Sequence, residues 1–304
     1  MKRGLKMYTA EKEKQPLVFF CKSYRGDLKR FKRFSESLIK HNPNNIPFYV
    51  SVPKNDLKLF LEETPGQKKI SWIVDEDIVN LSPGGSLQRY HLLDGRLTQQ
   101  IIKAEFWRMG CCENYVCFDS DCVVTRDVYN EDFLFDGSTP YTVMHQHKAF
   151  LEQALRKKKE KYLAYFYKES RKLKHLFSRS GIDYEFGPIP CIWSRSVWAD
   201  LYEKTLSLEN KTIWDALIEV PIEIRWYGEA LLKHKSIELI PIEPLMKVYL
   251  YHWQTGEAEK SDMYLKKIYI GVLYQSNWEF EMNAYGSKKS FLSNFLRRLK
   301  RRLD

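Results

Sequence analysis

Residues 116–126 read VCFDSDCVVTR. Val116, Cys117 and Phe118 form the short, bounded apolar run of a buried strand, yet the run ends in Asp119 and Asp121 with only Ser120 between them. Two carboxylates that close repel each other and resist leaving water, so a positive group must sit with them. Residues i and i+2 of a strand share one face, and the spacing therefore predicts that both carboxylates meet one cation. Hard divalent ions such as Mg²⁺ or Mn²⁺ take oxygen ligands and keep their remaining positions for water or substrate phosphates. The pair is thus a candidate half-shell for a metal diphosphate, in which the metal offsets the repulsion and neutralises charge on a departing diphosphate. The competing reading is a turn capped by Asp119 beside a solvated Asp121.

Working outward, PLVFFCKSY (16–24) is an apolar strand. GDLKRFKRFSESLIKHN (26–42) carries Leu28, Phe31, Phe34, Leu38 and Ile39 at helical spacing, with Asp27 placed to cap or start the helix. IPFYVSVP (46–53), KNDLKLFLEET (54–64) and KKISWIVDEDIV (68–79) continue as strand, helix and strand. This β-α-β-α-β rhythm predicts a parallel sheet covered by helices, a fold that binds ligands beyond the C-terminal ends of its strands. SPGGSLQRYHLLDG (82–95) is punctuated as a loop. RLTQQIIKAEFWRMG (96–110) is a helix closed by Gly110. The strand Tyr115–Phe118 then delivers Asp119 and Asp121 to the edge where ligands bind. Downstream the pattern is less regular. Phe150–Phe177 reads as one long basic helix or two shorter ones, 187–206 as turn, short strand and helix, and 219–235 as a loop entering a helix. Residues 237–244 and 247–256 read as strands, the second bringing His252 to its end. The expectation is an α/β fold, a mixed sheet flanked by helices. One domain covers 1–286 and contains a basic helical insertion at about 148–181, and an amphipathic helix covers 287–304.

Composition bounds the function. The 304 residues are 44% hydrophobic and include 8 Trp, 19 Tyr and 17 Phe, enough for a large core and unlike a disordered chain. No apolar run approaches the roughly 20 residues of a membrane span, and the charged N-terminus lacks a secretory pattern. The six cysteines contain no CxxC pair, which predicts free thiols in a reducing cytosol. The net charge is +10. Between Ser287 and Asp304 seven basic residues face one acid, so six of the ten excess charges lie in that segment. Basic residues also concentrate in 148–181, including RKKKEK at 156–161, and the rest is nearly balanced. A nucleic-acid-binding protein is the alternative this charge raises, but no recognition motif accompanies the basic runs, and nucleic acid is not expected as a partner. In the terminal segment Phe291, Phe295 and Leu299 share a face, with bases around the other side. Such a helix lies in a membrane interface and is drawn to anionic lipid. The expected location is cytoplasmic, peripheral on the inner face of the cell membrane.

Four segments, CKSYRGDLKRFKRFSESL, QQIIKAEFWRMG, YVCFDSDCVVTR and EIRWYGEALL, resemble in that order the bacterial GT-A-fold, DxD-containing nucleotide-sugar glycosyltransferases of surface polysaccharide and lipopolysaccharide assembly. The resemblance spans about 17–255. It implies a hexosyltransferase-type enzyme that moves a sugar from a nucleotide-diphosphate donor, a UDP-sugar, to a glycan or lipid-linked glycan. Asp119 and Asp121 match the DxD that holds Mn²⁺ or Mg²⁺ on the donor diphosphate. Ser23, Tyr24 and Asp27 match the first-strand end that meets base and ribose. Gln100 and Lys103, one turn apart, would point at the donor, with Gln99 directed elsewhere. His252 matches a third metal ligand. Glu223 stands at the position of a catalytic base, with Glu229 as second choice. Trp226 and Tyr227 are candidates to stack on a sugar, and His145 and His147 are candidate ligands or acceptor contacts. Metal-dependent nucleotidyltransferases and phosphohydrolases also use paired carboxylates, but the chain lacks a Gly-rich phosphate loop.

Overall fold

The structure, a computed structural model, describes residues 14–249 and 262–275. His252 and the segment Ser287–Asp304 lie outside the described residues. The first half alternates as the sequence predicts: β1 (Gln15–Lys22), α1 (Leu28–Lys40), β2 (Phe48–Val52), α2 (Lys54–Glu63) and β3 (Ile70–Val74). Then come α3 (Asp75–Leu81), α4 (Leu87–Leu92), α5 (Gly95–Glu105), β4 (Cys112–Phe118) and β5 (Cys122–Val124). The remainder is β6 (Tyr141–Val143), α6 (Lys148–Arg156), α7 (Lys161–Leu176), β7 (Cys191–Ser194), α8 (Arg195–Leu201), α9 (Ile213–Glu219) and α10 (Glu223–His234). Strands β8 (Ile240–Ile242), β9 (Met246–Tyr249) and β10 (Gly271–Tyr274) follow.

The main sheet runs β3-β2-β1-β4-β7, with β1 to β4 parallel and β7 antiparallel to β4. Parallel strands are covered on both faces, and β1 is accordingly buried from Leu17 to Lys22. Its alternation sorts the core. Val18 and Phe20 join Tyr115, Phe106 and Trp193 on one side, while Leu17, Phe19 and Cys21 join Phe31, Phe34 and Phe118 on the other. Two small sheets, β5-β10-β9 and β6-β8, extend the fold beyond the carboxylate end of β4. All six cysteines are buried free thiols.

Local chemistry corrects three sequence expectations and decides a fourth. The third strand stops at Val74, because Asp75, Glu76 and Asp77 open α3, where the helix dipole favours acids. Asp75 is fully buried and satisfied: it accepts from Ser51 Oγ at 2.5 Å and Tyr90 Oη at 2.7 Å and pairs with buried Lys22 at 2.8 Å. The segment 82–95 contains a short helix, α4, whose N-cap Ser86 accepts from the Arg89 amide at 3.1 Å. Asp27 precedes α1, but its carboxylate caps nothing and instead accepts from buried Arg30 at 2.7 Å. The basic insertion is two helices, α6 and α7.

Helix α10 is held against the Phe186–Gly187 turn. A Cβ on Gly228 would fall 2.1 Å from the Phe186 ring, and one on Gly187 would fall 2.5 Å from Ile224. Alanine in mid-helix normally gains about 1 kcal/mol over glycine. Gly228→Ala should do the reverse and destabilise the protein by more than about 2 kcal/mol through overpacking. Urea unfolding checks this, and an unchanged or raised midpoint would show that α10 does not approach the turn so closely.

Candidate functional site

The positive group beside the aspartates is Lys103. Helix α5 lies against the sheet and presents Gln99, Gln100 and Lys103, three to four residues apart, to the end of β4 and the start of α10. The Lys103 side chain is 3% exposed; its ammonium pairs with Asp119 Oδ1 and lies 3.7 Å from Glu223 Oε1. Gln99 Nε2 donates to Asp119 Oδ1 at 3.2 Å. Gln100 Oε1 accepts from the Glu223 amide at 3.3 Å, satisfying one of the unbonded N–H groups of the first turn of α10. Tyr115 Oη fixes the Lys103 carbonyl at 3.0 Å. The sequence assigns Lys103 to a phosphate and turns Gln99 away. In the fold Lys103 is the buried counter-ion of Asp119, and Gln99 shares that carboxylate because it stands one turn from Lys103 on the same face.

Electrostatics follow from this burial. Desolvation works against the Lys103 charge, but Asp119 and Glu223 outweigh it and hold the pKa well above the ordinary lysine value. Burial pushes Glu223 up, Lys103 pulls it back, and Asp119 adds to the rise, leaving it above the ordinary glutamate value. Asp27 is likewise raised by burial against the opposing pull of Arg30, and it feels the Asp119 charge.

The end of β1 meets the same edge. Ser23 is buried, and Ser120 Oγ donates to its Oγ at 2.9 Å, tying β1 to the Asp119-Ser120-Asp121 turn. Lys22 Nζ donates to the Ser23 carbonyl at 2.6 Å. Tyr24 is 48% exposed and lies over Gly26, where a Cβ would stand 2.4 Å from its ring. Ser23, Tyr24, Asp27, Gln100, Lys103, Asp119, Asp121 and Glu223 therefore gather around the C-terminal ends of β1 and β4.

Other candidates stand apart. Glu229 lies six residues along α10 from Glu223, about 9 Å of helix. Both its oxygens are taken by Arg179, at 2.5 and 2.6 Å, so it is a structural ion pair and not part of this cluster. Trp226 and Tyr227 are core residues: Trp226 Nε1 donates to the Val220 carbonyl, and Tyr227 Oη accepts from the Ser194 amide. His145 donates from Nε2 to the Gly187 carbonyl at 2.6 Å and accepts at Nδ1 from the His147 amide.

Asp119 and Asp121 supply the oxygen donors a hard divalent ion takes. Among the described residues no group of three His, Cys, Asp or Glu side chains completes a metal cage. The donor set fits a metal that takes the rest of its shell from water and a ligand.

Removing one partner of a buried pair costs about 3–5 kcal/mol. Lys103→Met strands Asp119 and Glu223 and should destabilise the protein by that amount. Glu223→Gln should not. A glutamate whose folded pKa is raised above its unfolded value stabilises the fold only at low pH and loses that contribution as pH rises through the folded value. At pH 7.5 the Gln variant should therefore unfold at the same or a higher denaturant concentration. Equal losses in the two variants, measured by urea unfolding, would contradict this charge arrangement.

No curated protein matches the chain. The profile of a family described as "Family of unknown function (DUF6492)" matches residues 16–293, from the first strand through the site and beyond. The chain belongs to that family.

Proposed function

We propose that this protein is a metal-dependent glycosyltransferase with a GT-A arrangement, moving a sugar from a nucleotide diphosphate, a UDP-sugar, to a glycan or lipid-linked glycan. The observation that carries the reading is the Asp119-Ser120-Asp121 turn at the C-terminal end of β4, joined through Lys103 to a buried carboxylate, Glu223, that heads α10. The sheet order supports it. Strand β1 lies between β2 and β4, so the ends of β1 and β4 form the sheet edge at which such folds hold ligands.

In this reading Tyr24 stacks on the base and Asp27 accepts from a ribose hydroxyl. Asp119 and Asp121 hold Mn²⁺ or Mg²⁺, which when bound neutralises charge on the leaving diphosphate. Glu223 takes the proton of the acceptor hydroxyl. That oxygen bonds to the anomeric carbon as the bond to the diphosphate oxygen breaks, and the electron pair leaves with the nucleoside diphosphate. The raised pKa of Glu223 suits a general base, and Lys103 opposes the effect of its burial. Burial in a protein wall, with its amide held by Gln100, orients the carboxylate.

The test is thermal unfolding with UDP, GDP, CDP and dTDP, each with and without Mn²⁺. A nucleotide at 100 times its Kd stabilises the fold by about 2.7 kcal/mol, and UDP with Mn²⁺ should give the largest shift. Glu223→Gln should retain that shift while losing about 10²–10⁴-fold in transfer rate, the usual contribution of a general base. Unfolding temperatures unmoved by every nucleotide would refute the proposal.

A further inference from the structure

A cavity of about 690 Å³ is not lined by Asp119. It lies between α6 and β9, and its volume falls within the roughly 300–1,000 Å³ of small-molecule sites. A second hollow of about 500 Å³ shares His145, His147 and Glu243 with it. Its walls grow from the same strands as the aspartate turn. Strand β7 pairs with β4 so that Cys191 faces Cys117, which carries Pro188, a wall residue, alongside the end of β4. Strand β9, which supplies Lys247, pairs with β10, and β10 pairs with β5 directly after Asp121. Gly187 packs on Ile224, the neighbour of Glu223. The cavity wall is thus connected through β7, through β9 and β10, and through Gly187 to the elements that carry the aspartates and Glu223.

The lining has a particular chemistry. His147 and Phe150 stack at 4.6 Å between ring centroids. Whereas His145 uses both ring nitrogens, the His147 ring nitrogens make no hydrogen bond among the described residues. His147 takes a left-handed backbone, φ 57°, that brings its ring to both hollows at the start of α6. Burial, only partly opposed by Glu185, pushes its pKa down to about 4, so at neutral pH it offers one donor and one acceptor without charge. Gln153 adds an amide, Glu152 and Glu243 add carboxylates, and Arg156, Lys157 and Lys247 add cations. Mixed donors and acceptors beside an aromatic face match the hydroxyls and apolar C–H face of a pyranose ring. They match a nucleic acid or an apolar chain poorly.

We propose that this cleft is the acceptor site and that it takes a saccharide, held against the His147–Phe150 pair with its reacting hydroxyl toward Glu223. The assignment rests on the glycosyl-transfer reading and gives the α6–α7 insertion its purpose: α6 is the outer wall of the acceptor site.

The experiment is binding of the fluorescently labelled full-length protein to a printed array of mono- to tetrasaccharides of glucose, galactose, mannose and N-acetylglucosamine. Wild type should be captured by a subset. Phe150→Ala removes the stack, and Ala149→Trp fills the cleft from an exposed position that carries no core packing. Each should weaken capture at least tenfold with an unfolding midpoint close to wild type, and Ala149→Trp should keep the UDP–Mn²⁺ thermal shift. Capture of no saccharide, or capture undiminished in either variant, would overturn the cleft assignment while leaving nucleotide binding intact. Saccharide capture without any nucleotide shift would instead uphold the cleft and refute the transferase reading.

Discussion

The site depends on one buried ammonium. Lys103 lies in the protein wall with its charge divided between Asp119, at the end of the central strand, and Glu223, at the head of α10. Burial alone works against a charged lysine and against charged carboxylates. Placed together, the opposite charges offset part of that cost. The pairing also has a mechanical consequence, because α10 is remote in sequence from α5 and β4 and meets them at this charge. Gln99 and Gln100 reinforce it from the same helix, one on the Asp119 carboxylate and one on the Glu223 amide. The side chain that pairs with Asp119 therefore also ties the end of β4 to the head of α10.

Much of this was legible in the sequence, and the rest was hidden for identifiable reasons. The first strands and helices follow from apolar runs and period, since parallel strands covered on both faces leave an unmistakable hydrophobic signature. The convergence of the β1 end with the aspartate turn followed from the topology of such sheets. Lys103 was singled out, but its pairing with Asp119 and Glu223 was not foreseen. A lysine on an amphipathic helix reads as solvated, and only the tertiary packing of α5 shows that it is enclosed. Gln99 could have been recognised from its four-residue spacing to Lys103. Glu229 could not have been separated from Glu223 by sequence. Both are acids on one helix, and what distinguishes them is Arg179, fifty residues away in a loop after α7. Asp75 shows the same limit. It extends an apolar strand on paper, but its buried partners Lys22, Ser51 and Tyr90 come from three other elements.

The basic insertion illustrates how charge misleads when read without packing. Its lysines and arginines raise the net charge and invite a nucleic-acid or membrane reading. In the fold α6 lines the cleft shared with β9, and there Arg156 is paired with Glu152. Lys174 and Arg179 are largely buried and paired with Asp183 and Glu229. Part of the positive charge is thus internal and compensated. Among the described residues no helix is long and apolar enough to cross a membrane.

The most direct test of the central claim is the titration of the Lys103 ammonium itself, followed by nitrogen-detected NMR on protein labelled at lysine and assigned by loss of the signal in Lys103→Met. If Asp119 and Glu223 share this charge, the Lys103 resonance stays that of an ammonium after the exposed lysines have titrated near their ordinary value of about 10.4. It should then move toward that value in Glu223→Gln. A Lys103 that deprotonates with or before the exposed lysines, or one indifferent to Glu223, would contradict the account.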